Sequence, residues 1–310
     1  MLKKYIALVF CLLVGLLSIM AQEPRVFKVL DFELNGPVKS CTVITNYGKE
    51  IFEFNEAGFL IKSTTQYNEE DKDITVYKYQ NEELVEKRME SYKSNILDEA
   101  TSMVNFYEID TTKTKYIKEL VVSFDKEFFE QQEYYYNSDG KLEKIIVSHE
   151  DAVDEVSIEY SQYKDELTER IYENGVIQSS ERRSTKKLKN GAILKIRLRK
   201  EFVDGEPNEA VETTMDEDGL KQHEQFFKFD TAENEFVPAE KRTYEYDKEG
   251  ILNEVRFTIG NAKSIKNYIF QFDDSPYKNW VKKIITPDNS YITREIEYFK
   301  IERDQTEDPN

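Results

Sequence analysis

The amino-acid sequence predicts an all-β chain, an antiparallel meander of repeated β-hairpins that forms a long, twisted and curved sheet. Three observations carry that expectation. A pattern of the form aromatic-x-aromatic-Asp/Asn-x-x-Gly-x-Leu recurs along the chain. Its anchor aromatics fall at a nearly constant interval. Between the copies, apolar and polar residues alternate with the period of two that a half-buried strand requires.

The pattern is clearest at Tyr244-Glu245-Tyr246-Asp247-Lys248-Glu249-Gly250-Ile251-Leu252. It recurs at Phe52–Leu60 and at Tyr134–Leu142, and a copy at Met215–Leu220 has lost its aromatics. Each part has a local physical role. Aromatics at i and i+2 share one face of a strand. Asp or Asn opens the turn by bonding its own backbone, and Gly supplies the positive φ that closes it. The return strand then resumes alternation, as in Val255-Arg256-Phe257-Thr258-Ile259. Tyr246, Phe272 and Tyr298 are spaced by 26 residues, Phe54 and Tyr79 by 25, and Tyr136 and Tyr160 by 24. Such a unit holds two strands and their turns.

From the start of the chain, Lys3 and Lys4 precede an uncharged apolar run from Tyr5 to Leu17, followed by Ser18-Ile19-Met20-Ala21. Charge, apolar run and small residue in that order predict a cleavable secretion signal over 1–21. The run is short for a membrane span, which takes about 20 apolar residues, and no second apolar segment follows. A membrane span after signal removal is therefore not expected. Cys11 lacks the small residues that a lipidation site has before it. The remaining thiol, Cys41, lies in a strand-like run from Val38 to Ile44 and reads as a small buried hydrophobe.

Residues 82–100 fit two patterns. Leu84, Val85, Arg88, Met89 and Tyr92 have helical spacing, yet the segment also fits the return strand of the copy at Tyr79, which the turn count favours. Ser179–Lys189 is the one positive island, and the strand Ala192–Leu198 follows it. Asn190-Gly191 and Asp204-Gly205 mark turns. The copy at Phe270 runs into Tyr277-Lys278-Asn279-Trp280 through an enlarged loop. No linker interrupts 22–303, which reads as one repeat domain, and 304–310 is expected to be a disordered acidic tail.

Removing a leader with two basic and no acidic residues leaves 41 basic against 61 acidic residues, a net charge of −20. Such a surface disfavours nucleic acid and anionic lipid. Aromatics make up 13% of the chain, which argues against disorder.

The motif Tyr244-x-Tyr246-Asp247-x-x-Gly250-x-Leu252 resembles the YD repeat of RHS-type bacterial surface and toxin-shell proteins. The segment Val281–Asn289 is similar to the stretch that leads into the next copy of that repeat. Asn279-Trp280-Val281-Lys282-Lys283 resembles a variant found in many uncharacterised exported bacterial proteins. The likeness covers roughly a third of the chain. It implies an exported, non-enzymatic repeat protein, and a label of carbohydrate binding travels with the family. No residue of the motif is catalytic. Few copies, and glycines missing from several, set this chain apart from those that build large closed shells.

Nothing else in the sequence carries chemistry. His149 and His223 are the only histidines, and neither begins a zinc helix. No nucleophile elbow, phosphate loop or dinucleotide fingerprint occurs. Asp216-x-Asp218-Gly219 and Asn137-x-Asp139-Gly140 have the wrong residue where a calcium loop begins and are explained as turns. No catalytic residue, metal or cofactor is expected.

Three functions remain open. The first is an exported scaffold, periplasmic or secreted to the cell surface, that binds a partner. The second is a glycan-binding module that stacks sugars on exposed aromatics, with Trp280 and Tyr277 as the candidates. The third is a glycan hydrolase with two carboxylates within about 10 Å. The alternation favours the aromatics as core over an exposed platform.

Overall fold

The computed structural model describes residues 23–300. The predicted leader at 1–21 and the acidic tail at 304–310 lie outside the described residues.

Two short 3-10 turns, Val29–Phe32 and Glu99–Thr101, accompany a chain that is otherwise strand. The first strands are β1 (Val38–Thr45), β2 (Gly48–Phe54), β3 (Leu60–Gln66), β4 (Lys72–Gln80) and β5 (Glu83–Lys93). A two-residue strand, β6 (Ile96–Leu97), folds back on β5, and β7 (Met103–Asp110) then resumes the meander. The series continues with β8 (Tyr116–Ser123), β9 (Phe128–Tyr136), β10 (Leu142–Ser148), β11 (Val153–Tyr163), β12 (Glu166–Glu173) and β13 (Val176–Lys187). It ends with β14 (Ile193–Val203), β15 (Glu206–Met215), β16 (Lys221–Asp230), β17 (Glu235–Tyr246), β18 (Leu252–Ile259), β19 (Ala262–Phe272), β20 (Trp280–Thr286) and β21 (Ser290–Tyr298). The ambiguous segment at 82–100 is therefore strand over Glu83–Lys93, the part with helical spacing, and ends in the short β6 and a 3-10 turn.

Each strand pairs antiparallel with the next, and β1 pairs with both β2 and β21. The sheet is thus a closed ring of 20 strands, with β6 as an appendage. The expectation of a long curved sheet is met in its meander and corrected in its topology. Closure rests on Cys41 facing Ile296 and Thr42 facing Glu295, residues too far apart in sequence for local pattern to register. One-residue register shifts beside the hairpin ends, as at Glu53/Phe54, Leu142/Lys144 and Glu245/Tyr246, add the twist that closes the ring.

The repeated turns behave as their chemistry dictates. Asn55 Oδ1 accepts from Phe59 N at 2.9 Å, Asp216 Oδ1 from Leu220 N at 2.9 Å, and Asp247 Oδ1 from Ile251 N at 2.9 Å. Gly58, Gly140, Gly219 and Gly250 take φ of 82°, 73°, 87° and 79°. All these turns lie on one rim, because they join even steps of an antiparallel ring. The Phe270 copy closes with the larger loop from Asp273 to Asn279.

Register sorts the side chains between two faces. Phe54, Leu60, Tyr79, Leu84, Tyr107, Tyr134, Ile145 and Val156 share one face, and the two buried clusters are built from it. The N-terminal segment packs on that face through Val29 and Leu34, and the 510 Å³ recess opens on it, so it is the concave, inner one. The outer face mixes charged pairs with exposed apolar side chains, among them Phe106, Ile265, Ile269 and Tyr291. Lys62 pairs with Glu53 at 2.8 Å, Lys78 with Glu86 at 2.8 Å, and Arg256 with Glu245 at 2.8 Å. Glu159 faces Arg170, and Lys118 faces Glu133.

Twenty strands at ~4.8 Å spacing make a perimeter of about 100 Å, too wide for side chains alone to fill. Residues 23–36 fill part of it. This segment runs along the inner face from Glu23 at β8 and β9 to Asn35 beside β20. On the way, Leu60 N bonds Phe27 O at 2.9 Å, Phe32 packs on Phe52 with ring centroids 4.5 Å apart, and Leu34 is fully buried.

Candidate functional site

The descending strands each deliver inner-facing residues at i and i+2 before their turn. In β2, β4, β9, β17 and β19 these are aromatics: Phe52 and Phe54, Tyr77 and Tyr79, Tyr134 and Tyr136, Tyr244 and Tyr246, Phe270 and Phe272. From β21 round to β9 the segment 23–36 covers this belt, and there Phe54, Tyr134 and Tyr136 are buried. The aromatics are core on this side, as alternation implied.

Trp280 and Tyr277 stand at the end of the covering segment. The Arg294 guanidinium lies 3.4 Å from the Trp280 ring centroid, and Trp280 Nε1 donates to Glu33 Oε2 at 3.2 Å. Phe270 approaches the same ring edge-on at 5.9 Å. Tyr277 packs on Tyr298 at 5.3 Å and lies directly over Gly36. Between them, Asn279 is buried. Its Oδ1 accepts from Asn35 N at 2.7 Å, and its Nδ2 donates to Asn35 O at 2.8 Å and to Tyr298 OH at 2.7 Å. These residues fasten the N-terminal segment to the barrel.

The other half of the lumen is open. A 510 Å³ recess crosses β9 to β14 and is walled by Tyr136, Tyr160, Glu169, Arg183 and Arg199. A 290 Å³ recess crosses β13 to β17 and is walled by Arg197, Arg199, Lys221, Glu224, Arg242 and Tyr244. Arg199 stands in both. Here the aromatic belt is interrupted, because β13 reaches its turn through Arg183, Thr185 and Lys187.

Most charges in these recesses are paired. Arg183 Nε donates to Glu181 at 2.7 Å, Arg199 Nε to Glu201 at 2.5 Å, and Arg242 Nε to Glu240 at 2.6 Å. Burial pushes the Glu224 carboxyl up, but hydrogen bonds from Lys221 and Tyr244 outweigh it and hold the carboxyl below its usual range. Burial and the bond to Glu224 raise the Tyr244 phenol. Arg242 lies 4.3 Å from the Phe226 centroid and Lys141 5.0 Å from that of Tyr160, so cations already cover these rings. Arg197 makes no ion pair or hydrogen bond among the described residues and is exposed to the lumen.

Glu119 is the one deeply buried acid of the covered half. It accepts from Asn105 Nδ2 at 2.5 Å and from Tyr134 OH at 2.7 Å, in a site that opens into neither recess. Cys41 is buried beside Arg294, and burial pushes its thiol up to about 11. His149 lies at the opposite rim near Glu130, and His223 faces outward against Thr243. Among the described residues no three His, Cys, Asp or Glu side chains come together as metal ligands.

The lumen cations escaped the sequence reading, although both halves of the signal were visible. The positive island at 179–189 and the alternation Lys195-Ile196-Arg197-Leu198-Arg199 each put cations on one strand face. Only the register between β13 and β14 brings those faces together.

No family model and no curated protein matches the chain. Among solved structures, a porin-like protein of Bacteroides uniformis ATCC 8492 aligns over 84% of this chain and 98% of its own, at 10% identity and a TM-score of 0.29. A porin-like protein of Bacteroides vulgatus ATCC 8482 aligns over the same shares at 11% identity and a TM-score of 0.26. Neither likeness is close, and the choice between functions rests on the surfaces of this chain.

Proposed function

We propose that the protein is an exported, non-catalytic binding barrel of the cell envelope that stands in water and uses its lumen as the binding chamber. The observation that supports this most is the outer face. Charged side chains occupy it around the ring, with Arg88 and Glu90 on β5, Arg170 on β12, Arg182 on β13, Glu212 on β15, Lys241 on β17, Arg256 on β18 and Glu295 on β21. A basic side chain facing lipid at mid-depth costs about 2–4 kcal/mol. Each basic side chain of this set counts against burying the outer face in lipid. No helix among the described residues is long and apolar enough to span, which leaves the strands as the only way across.

The open half of the lumen supplies the chamber, and the YD-like turns fit an exported repeat protein. Stacking of neutral sugars on Trp280 and Tyr277 has less support, since Arg294 and Tyr298 already occupy their faces. A hydrolase has less still, because Glu23, Glu181 and Glu224 of the recesses are tied to cations and Glu119 is closed off, although Glu169, which faces Glu181, has no ion pair among the described residues.

The test is detergent-phase partitioning of the chain from Gln22 to Asn310. The expected result is a monodisperse protein in detergent-free buffer that stays in the aqueous phase of a Triton X-114 separation. Recovery only in the detergent phase would overturn the proposal.

A further inference from the structure

We propose that the lumen face of β13 and β14 is a binding site for a ligand carrying more than one oxyanion group, with Arg197 as its anchor. This rests on the reading of the lumen as a water-filled binding chamber.

The argument begins with register. Arg183 lies directly opposite Arg197, and Thr185 opposite Lys195. Lys187 completes a set of four inward cations on the half of this ladder nearest the turn, where Glu217 accepts from Ile193 N with its carboxylate and from Lys195 Nζ with its carbonyl. Like charges directly opposite each other destabilise an antiparallel pair. Three other lumen arginines each have an acid beside them: Glu181 for Arg183, Glu201 for Arg199 and Glu240 for Arg242. Arg197 has no such acid among the described residues. A guanidinium with five unspent donors, facing a recess of 290 Å³, suits a planar or tetrahedral oxyanion taken in two-point contact.

The chain as a whole carries a net charge of −18, which would repel an anion at long range. Screening decides the balance. At physiological salt the field of an exposed charge decays over ~8 Å. The acidic exterior therefore acts weakly inside, while the concave wall of the recess concentrates the field of Arg197, with Lys195 and Lys187 further along the same face. Their spacing favours a ligand with groups about 7 Å apart, the repeat of one strand face. Because the neighbouring rings are already covered by Arg242 and Lys141, the ligand is recognised by charge rather than by stacking.

The test is titration calorimetry in low-salt buffer with three probes: inorganic pyrophosphate, a sulfated tetrasaccharide and tri-galacturonate. The expected result is binding of at least one probe, weakened by added salt, and the preferred probe tells a phosphate, sulfate or carboxylate source apart. Arg197→Ala is expected to weaken binding about tenfold or more, since a charge-assisted pair is worth at least that factor. Arg197→Lys should recover part of it. Arg256→Ala, on the outer face, should leave it unchanged. Arg197 has no partner to lose, so Arg197→Ala should melt no lower than the parent. Failure of all three probes to bind a soluble, folded barrel would overturn the site while leaving the aqueous barrel standing, as would binding that Arg197→Ala leaves intact.

Discussion

Replacing Asn279 by Ala should loosen the N-terminal segment from the barrel. The side chain is 1% exposed and makes three hydrogen bonds, two to the backbone of Asn35 and one to the Tyr298 hydroxyl. A net intramolecular hydrogen bond contributes about 1 kcal/mol, and an orphaned buried partner costs up to about 3 kcal/mol. Asn35 is exposed enough for water to replace part of the loss, but the Tyr298 hydroxyl, which also reaches Asp273, is not. The expected loss is therefore about 2–4 kcal/mol. Urea unfolding followed by tyrosine fluorescence measures it as a fall in midpoint at constant slope. A loss below about 1 kcal/mol with an unchanged slope would refute the view that Asn279 holds the segment in place.

Three more expectations follow from the same geometry. Gly36→Ala should destabilise more than Gly140→Ala, because both glycines have positive φ but only at Gly36 would a Cβ meet a ring, Tyr277, at 2.4 Å; paired melting curves compare them, with about 1 kcal/mol expected for Gly140→Ala. Glu119→Ala should cost about 2 kcal/mol by removing the acceptor of Asn105 Nδ2 and one acceptor of the Tyr134 hydroxyl, which keeps Gln132, whereas Glu119→Gln should retain most of the stability, as chemical denaturation would show. The Cys41 thiol, raised by burial to about 11, favours the fold while it stays protonated; that contribution is complete below the ordinary thiol range and fades as pH climbs from there toward about 11. A thiol reagent at pH 8 should accordingly leave the native protein unmodified and react only after unfolding.

Much of the fold was legible because it is written locally. An Asn or Asp that caps its own turn, a Gly at positive φ and an aromatic two residues before its partner are all readable within nine residues, and Asn55, Asn137, Asp216 and Asp247 act in the structure as they read. The strand at 83–93 was harder, since a short apolar run has no decisive period. Closure was out of reach. It depends on summed twist over the whole ring and on one pairing between residues near 41 and residues near 296. The site was half legible for the same reason. Charge on one strand face is visible in β13 or β14 alone, while its doubling across the ladder is a matter of register. Trp280 drew attention because it is the single tryptophan, and the structure gives it a fastening position under Arg294.

The pairing of β1 with β21 also has a consequence in time. A chain made from its N-terminus delivers β1 first and β21 last, so the earliest strand must wait for the final one. Until then both outer strands present unpaired backbone, which invites pairing with another molecule. Contacts between the two ends of a chain are the slowest to form. Ring closure should thus be the last and most hazardous step of folding. A chain that stops before Ser290 would keep every local turn intact and still be left with two sticky margins.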